Sequence, residues 1–321
     1  MLINLFARAK IRVAGPDRDR YLNGQLTNEL GAARLGRTVH GCLLTAKGKL
    51  EAEAFVTVTR DDSLIVDSAA EIRESLLARL EKYLVADEVT LTDETDSLAL
   101  FHVLDLEVSE TLLPEGTVSE SERFGRAGFD LLLPTTFKHL VPQLLKEDPV
   151  SDETVECFRI AQGVPVWGAE LSEDVLPPEV GLDRDAISYT KGCYVGQEVI
   201  SRIKSVGHVN RQLVGVQLVE GSSFAVGDEL VAETGKTIGR LTSVCFQPDK
   251  QRWIGLSIIR REFAQPGQRY QIKLRTSQSS SAEDVRLRQG LVGQVGELSQ
   301  GATEGEESTG LAEVASLPFS E

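Results

Sequence analysis

The residues best placed to do chemistry lie together at Lys191-Gly192-Cys193-Tyr194-Val195-Gly196-Gln197-Glu198. Val195, Val199, Ile200 and Ile203 recur at helical spacing, so a helix is expected to begin near Val195–Gln197 with Cys193 just ahead of it. A thiol there would feel the positive end of the helix dipole and a lysine two residues away. Both favour the thiolate, the form that attacks electrophiles and binds metals. Gly192 and Gly196 permit a tight turn or a close backbone approach. The plainer alternative is an inert cysteine buried in a loop-to-helix turn.

A second constellation runs from Arg159 to Leu171 and on through Leu176-Pro177-Pro178-Glu179-Val180-Gly181-Leu182. Its prolines and glycines predict an ordered, irregular loop. A carboxylate held in such a loop could accept two parallel N–H bonds from a flat heterocycle, as it does from a guanidinium, and a pterin ring offers that donor pair. Otherwise Glu179 is a solvated loop residue. Gly235-Lys236-Thr237 looks like the end of a phosphate-binding loop, but Leu230 stands where the first glycine is required, so a hairpin turn is expected. His40, His102, His139 and His208 show no metal-ligand spacing, and nothing in the spacing supports pairing Cys193 with His208.

Several elements must hold these residues. Gly15-Pro16-Asp17 predicts a turn into a helix over Asp17–Leu30 capped by Asp17. Alternation predicts strands through 50–58, 64–66, 89–92 and 98–106, with helices carrying Ile72, Leu76, Leu80 and then Phe137, Val141, Leu145. From Val209 to Leu274 short strands follow one another at 213–219, 229–233, 238–244, 253–259 and 270–274, the pattern of a small barrel. The mixture argues for an α+β fold, not a doubly wound sheet.

The chain has 321 residues, enough for two or three domains, with 41% apolar and 26% charged residues. Lys+Arg number 34 against 49 Asp+Glu, a net charge of -15, which argues against a nucleic-acid or anionic-membrane binder. No run of 18 apolar residues is present, so no helix is expected to span a membrane. The N-terminal stretch reads as mature protein rather than a signal peptide. Cys42, Cys157, Cys193 and Cys245 are far apart, so free thiols, no local metal site and a reducing, cytoplasmic setting are expected. Residues 276–321 hold eight acidic and two basic residues, a local charge of -6, and are expected to be a disordered tail.

These residues together resemble the YgfZ family of folate-binding proteins, a branch of the aminomethyltransferase (glycine cleavage T-protein) superfamily linked to iron–sulfur enzyme maintenance. The resemblance is carried by Lys191 to Glu198, by Arg202, Gly207 and Arg211, by Arg159–Leu171 and Pro178–Leu182, and by Tyr21–Asn28 with Leu44–Lys49. It spans roughly residues 10–275. It implies a three-domain cloverleaf around a folate channel: a discontinuous folate-binding core at 1–45 plus 150–206, a ferredoxin-like domain at 46–149 and a small β-barrel at 207–275. By similarity Cys193 and Lys191 are the chemical residues, Glu179 holds the pterin, and Tyr194, Gln197 and Arg202 complete the folate site. Gly192, Gly196 and Glu198 complete the motif.

Aminomethyltransferases carry paired aspartates after a Gly-x-Leu turn, where this chain reads Gly48-Lys49-Leu50-Glu51-Ala52. The missing acid favours an accessory protein over an enzyme. The resemblance therefore implies tetrahydrofolate or a derivative as cofactor, iron–sulfur enzymes or cluster-assembly proteins as partners, no direct nucleic-acid contact, and an indirect effect on tRNA modification. The rival is a tetrahydrofolate-dependent aminomethyltransferase or demethylase.

Overall fold

The computed structural model describes residues 1–32, 36–108, 113, 115–220, 224–273 and 309–319. The chain divides into two compact units, Met1–Val155 with Val164–Val209, and Glu156–Gly163 with Asn210–Glu321.

In chain order the strands of the first unit are β1 (Leu2–Asn4), β2 (Ala9–Ala14), β3 (Thr38–Leu44), β4 (Leu50–Val58), β5 (Leu64–Ser68), β6 (Thr90–Asp93), β7 (Leu98–Val103), β8 (Thr117–Ser121) and β9 (Gly128–Pro134). Its helices are α1 (Arg18–Asn23), α2 (Arg73–Lys82) and α3 (Leu140–Leu145). α4 (Asp152–Gln162) runs across the division of the chain, and α5 (Gln197–Val206) returns to the first unit. Two antiparallel sheets result, ordered β3-β4-β5-β2-β6 and β1-β7-β9-β8. Strand periodicity explains how β4 serves both of its faces. Ala52, Ala54 and Val56 face a core with Leu76 and Leu80 of α2, while Glu53, Phe55 and Thr57 face the other way. The second sheet closes its own core with Leu2, Phe101, Val103, Leu131 and Val141. The domain boundary expected at 45/46 falls inside the β3–β4 hairpin, whose strands pair from Thr38↔Thr57 to Leu44↔Leu50.

Buried charge bridges the two sheets of this unit. Both guanidinium Nη atoms of Arg123 donate to Asp67 on β5, at 2.9 and 2.6 Å, while its Nε donates to Asp130 on β9 at 2.8 Å. Asp130 also bonds His102 Nδ1 at 2.8 Å, and Arg8 pairs with Asp67. Burial alone would raise the Asp130 carboxyl, but the charge of Arg123 and the bond from His102 hold it well below the usual carboxylate range.

The expected helix over Asp17–Leu30 stops at Asn23. The carbonyls of Asn23, Leu26 and Asn28 are taken by a lysine side chain, so they are not available to continue a helical ladder. Asp17 makes no side-chain cap; its Oδ2 accepts from the Glu88 N–H at 2.9 Å.

In the second unit β10 (Arg211–Glu220), β11 (Glu229–Val231), β12 (Thr237–Gln247), β13 (Arg252–Arg260), β14 (Arg269–Lys273) and β15 (Thr309–Ala315) form a closed barrel ordered β10-β13-β12-β11-β14-β15. Gly235, at φ 77°, turns the β11–β12 hairpin, as its sequence suggested. Two expectations are corrected here. The segment expected to be a disordered tail supplies β15, which pairs with both β10 and β14; Ala312 and Val314 alternate into the barrel core and overrule the polar composition around them. The remainder of that segment, 276–308 with 320–321, lies outside the described residues. Cys157 and Cys245, expected to be free thiols, are joined by a disulfide with Cα atoms 5.4 Å apart. Packing of 156–163 on β12 brings together residues 88 positions apart, which spacing alone does not reveal.

Two outcomes are expected. A chain ending at Lys273 loses the burial of Val314 and Phe319, on the order of 3–6 kcal/mol, and its thermal midpoint falls; an unchanged midpoint would remove β15 from the barrel. Replacing Arg123 by Met strands two buried carboxylates and costs about 3–5 kcal/mol by urea denaturation. Because the folded Asp130 pKa lies below its ordinary 3.8, its contribution is present above pH 3.8 and lost as pH falls below it. The acid limb of the wild-type stability curve should therefore be steeper than that of Arg123→Met.

Candidate functional site

The Lys191–Glu198 segment crosses the first unit as a loop that enters α5 at Gln197. Gly196 precedes the helix at φ 87°, and a Cβ there would stand 2.6 Å from the Thr45 carbonyl oxygen. Gly48, at φ 75° in the β3–β4 turn, lies against Val199 in the same way. Both glycines are required by close approach, so the hairpin at Leu44–Lys49 and the start of α5 fit together only without side chains.

The two influences expected to activate Cys193 are arranged differently. Cys193 is exposed but sits four residues ahead of Gln197, outside the first turn in which a helix dipole acts. Lys191 is buried. Its Nζ donates to the carbonyls of Asn23, Leu26 and Asn28 at 2.8, 2.7 and 2.7 Å and reaches Asn23 Oδ1 at 3.1 Å. Burial lowers this ammonium to about 8, against an opposing effect from Glu29. Its protons are committed to the chain at 23–28, and it acts as a staple for that segment. The other free cysteine among the described residues, Cys42, is buried, and burial pushes its thiol upward; Cys193 is the accessible one.

The remaining expected residues are dispersed. Tyr194 is buried, with its hydroxyl pushed up to about 12 by burial. Gln197 bonds back to the Gly192 carbonyl at 3.4 Å, and Arg202 lies exposed beside Glu198 at 3.2 Å. Glu179 is buried, and its Oε2 accepts from the Leu176 N–H at 3.1 Å within its own turn.

A cavity of about 940 Å³ opens in the same unit, and none of the residues expected from the sequence lines it. Its wall includes Asn28, His40, Phe55, Ser121, Arg37 and Arg184. Lys191 touches it indirectly, because the Asn28 carbonyl it holds belongs to a lining residue whose side chain bonds the carbonyls of His40 and Asp185 at 2.9 and 2.8 Å. Ser121 is 5% exposed, and its Oγ has no partner among the described residues. A buried hydroxyl left unsatisfied beside a cavity marks a place for a ligand atom or water. His40 Nε2 bonds Glu53 Oε1 at 2.9 Å, and the imidazole stacks on Phe55 with centroids 4.3 Å apart. The carboxylate counted as missing at Ala52 thus has a neighbour: Ala52 is in the core, and Glu53 faces His40.

His40, Glu53 and Ser121 were missed because no sequence spacing joins them. The one available signal was the alternation along β4, which sets Glu53 on the face opposite Ala52. Among the described residues no three His, Cys, Asp or Glu side chains are grouped to hold a metal ion, and no helix is long and apolar enough to cross a membrane.

Comparison with known proteins agrees with this architecture. The GCVT N-terminal domain matches residues 2–105 and the glycine cleavage T-protein C-terminal barrel domain matches 211–287. Together these cover more than half of the chain, which belongs to the glycine cleavage T-protein (aminomethyltransferase) superfamily. The mitochondrial iron-sulfur cluster assembly factor IBA57 homolog of Dictyostelium discoideum is 24% identical over 280 residues, covering 73% of this chain and 67% of that one. The aminomethyltransferase of Cutibacterium acnes is 24% identical over 310 residues, covering 85% and 83%. The crystal structure of aminomethyltransferase T from Bartonella henselae superposes with a TM-score of 0.79 at 17% identity, covering 99% of this chain and 86% of that one, and shows the shared fold.

The staple is testable. Lys191→Met removes the donor from buried carbonyls and should cost about 2–4 kcal/mol in urea unfolding. Lys191→Arg should not restore it, because a planar fork cannot occupy a compact carbonyl cage. An unchanged urea midpoint in Lys191→Met would return the lysine to the role of an activating cation for Cys193.

Proposed function

We propose that this protein is a folate-binding accessory factor for iron–sulfur cluster assembly or repair, of the YgfZ branch, with Cys193 as its accessible thiol. The observation that carries the reading is the link from Lys191, two residues before the exposed Cys193, to Asn28 in the cavity wall. That link couples the motif that carries the thiol to a ligand-sized space. The similarity to a protein named as an iron-sulfur cluster assembly factor supports the same reading.

A reduced folate fits the residues present. The volume suits a ligand of that size, the unpartnered Ser121 Oγ offers a polar contact, and Arg37 and Arg184 offer cations to a carboxylate tail. When bound, such a cofactor supplies ring nitrogens that accept and release one-carbon units. The chain's own residues hold it: Asn28 shapes one wall under the grip of Lys191, and His40 and Phe55 present flat surfaces. Glu179 contributes by bracing the 177–179 turn that precedes Arg184. Cys193, without a second cysteine in its loop, serves as a transient ligand to a cluster or metal passed between partners. Effects on tRNA modification would follow through iron–sulfur enzymes, since an acidic chain is a poor RNA binder.

One observation favours the second reading, a tetrahydrofolate-dependent one-carbon transferase. Glu53 supplies a carboxylate on the cavity side of β4, although Ala52 does not.

Calorimetric titration with tetrahydrofolate separates these readings. Saturable binding is expected, weakened roughly 2–10-fold in Ser121→Ala, the worth of one hydrogen bond. Cys193→Ala should bind normally yet fail to support iron–sulfur enzyme activities in cells. No binding by the wild type would end the folate reading. Full complementation by Cys193→Ala, with methylenetetrahydrofolate formed from an aminomethyl donor, would establish the transferase.

A further inference from the structure

We propose that His40 is the specificity residue of the cavity, a fixed hydrogen-bond acceptor for the ring N–H of a flat, donor-rich heterocycle, and that Glu53 is the positioning residue that fixes it. This rests on the folate reading of the same cavity and goes beyond it by assigning the atom that recognises the ring.

The argument begins with the tautomer. His40 Nε2 lies 2.9 Å from Glu53 Oε1. An ionised carboxylate can only accept, so Nε2 carries the proton and, in the neutral imidazole, Nδ1 carries the lone pair. Burial would raise the Glu53 carboxyl, but the hydrogen bond from His40 outweighs it, helped by the charges of Arg8 and Arg123, and the net shift is downward. Glu53 therefore stays ionised and keeps Nε2 as the donor. Among the described residues no hydrogen bond engages Nδ1, and 21% of the His40 side-chain surface remains exposed where the residue lines the cavity.

The ring plane is also fixed. His40 stacks on Phe55 at an interplanar angle of 3°, and the Arg123 guanidinium carbon stands 4.1 Å from the same Phe55 centroid. Two groups this close to one centroid occupy its two faces, so the imidazole is the end of a three-layer stack. A flat ligand can extend that stack as a fourth layer or meet Nδ1 along the imidazole edge, and in either case the acceptor cannot rotate away.

The wall around it is rich in acceptors. Asp105, Glu107, Glu120, Glu122 and Asp185 line the cavity against two cations, Arg37 and Arg184. A ligand matching that wall must supply N–H groups, with any acidic portion directed to the two arginines.

The test has two independent arms. In the full-length free protein, nitrogen NMR of labelled histidines should show His40 as the Nε2–H tautomer at neutral pH, and Glu53→Leu should abolish that preference without unfolding the chain. An Nδ1–H tautomer in the wild type would overturn the proposal whatever the protein binds. In the second arm, tetrahydrofolate binding is measured by calorimetry at neutral pH. His40→Phe, which keeps the stack and loses the acceptor, should bind about tenfold more weakly. A loss of that size supports the assignment; equal affinity overturns it. Pterin alone is the second probe. If tetrahydrofolate fails but pterin binds and shifts the His40 resonances, the folate reading falls and the acceptor assignment stands. If neither moves those resonances, the assignment is wrong.

Discussion

The double fork of Arg123 is the interaction on which the first unit depends. One guanidinium reaches Asp67 in one sheet and Asp130 in the other, and its flat face backs Phe55. Ion pairs buried this deeply add little net stability, because desolvation cancels most of their attraction. What they add is orientation, since planar bidentate geometry admits a narrow range of positions for each carboxylate. Phe55 is held in one place by it, His40 is stacked on Phe55, and Glu53 turns the imidazole. The cavity surface is in this sense an outgrowth of the charge bridge between two sheets.

Lys191 has the same logic in a smaller space. A lysine beside a cysteine invites the idea of an activated thiolate, but a buried ammonium cannot remain charged without acceptors, and here it finds them in backbone carbonyls. The staple interrupts α1 and sets the path of 23–28, which delivers Asn28 to the cavity. Gly196 and Gly48 serve the same end by letting the hairpin touch the start of α5. Most of the Lys191–Glu198 motif is therefore architecture. Cys193 is left exposed, with Gly192 and Glu198.

What could be read from the sequence followed from local rules. The amphipathic stripe of α2, the alternation of β4, the hairpin at Gly235 and five of the six barrel strands each depend on residues a few positions apart. What could not be read depends on distant partners. β15 was hidden because two buried residues, Ala312 and Val314, count for little in an acidic, Ser-rich segment until β10 and β14 accept them. The Cys157–Cys245 link joins residues 88 apart. His40 and Glu53 meet through the register His40↔Phe55 and Cys42↔Glu53 of the β3–β4 hairpin, which a one-residue slip would destroy.

That register also bears on how one fold can host different chemistry. Adjacent residues of a strand face opposite ways, so moving a carboxylate by one position moves it from a hydrophobic core to a ligand surface. At Ala52 an acid would be buried in the core against Leu76 and Leu80. At Glu53 it is paired with His40 and lies in the field of Arg8 and Arg123. The second position supports an ionised group at little cost, and it places beside the cavity an imidazole whose lone pair is aimed by that charge. On the proposed reading, a superfamily member that carries its acid there, and a histidine across the hairpin from it, recognises a ring by its N–H while leaving the outward thiol of Cys193 to a partner.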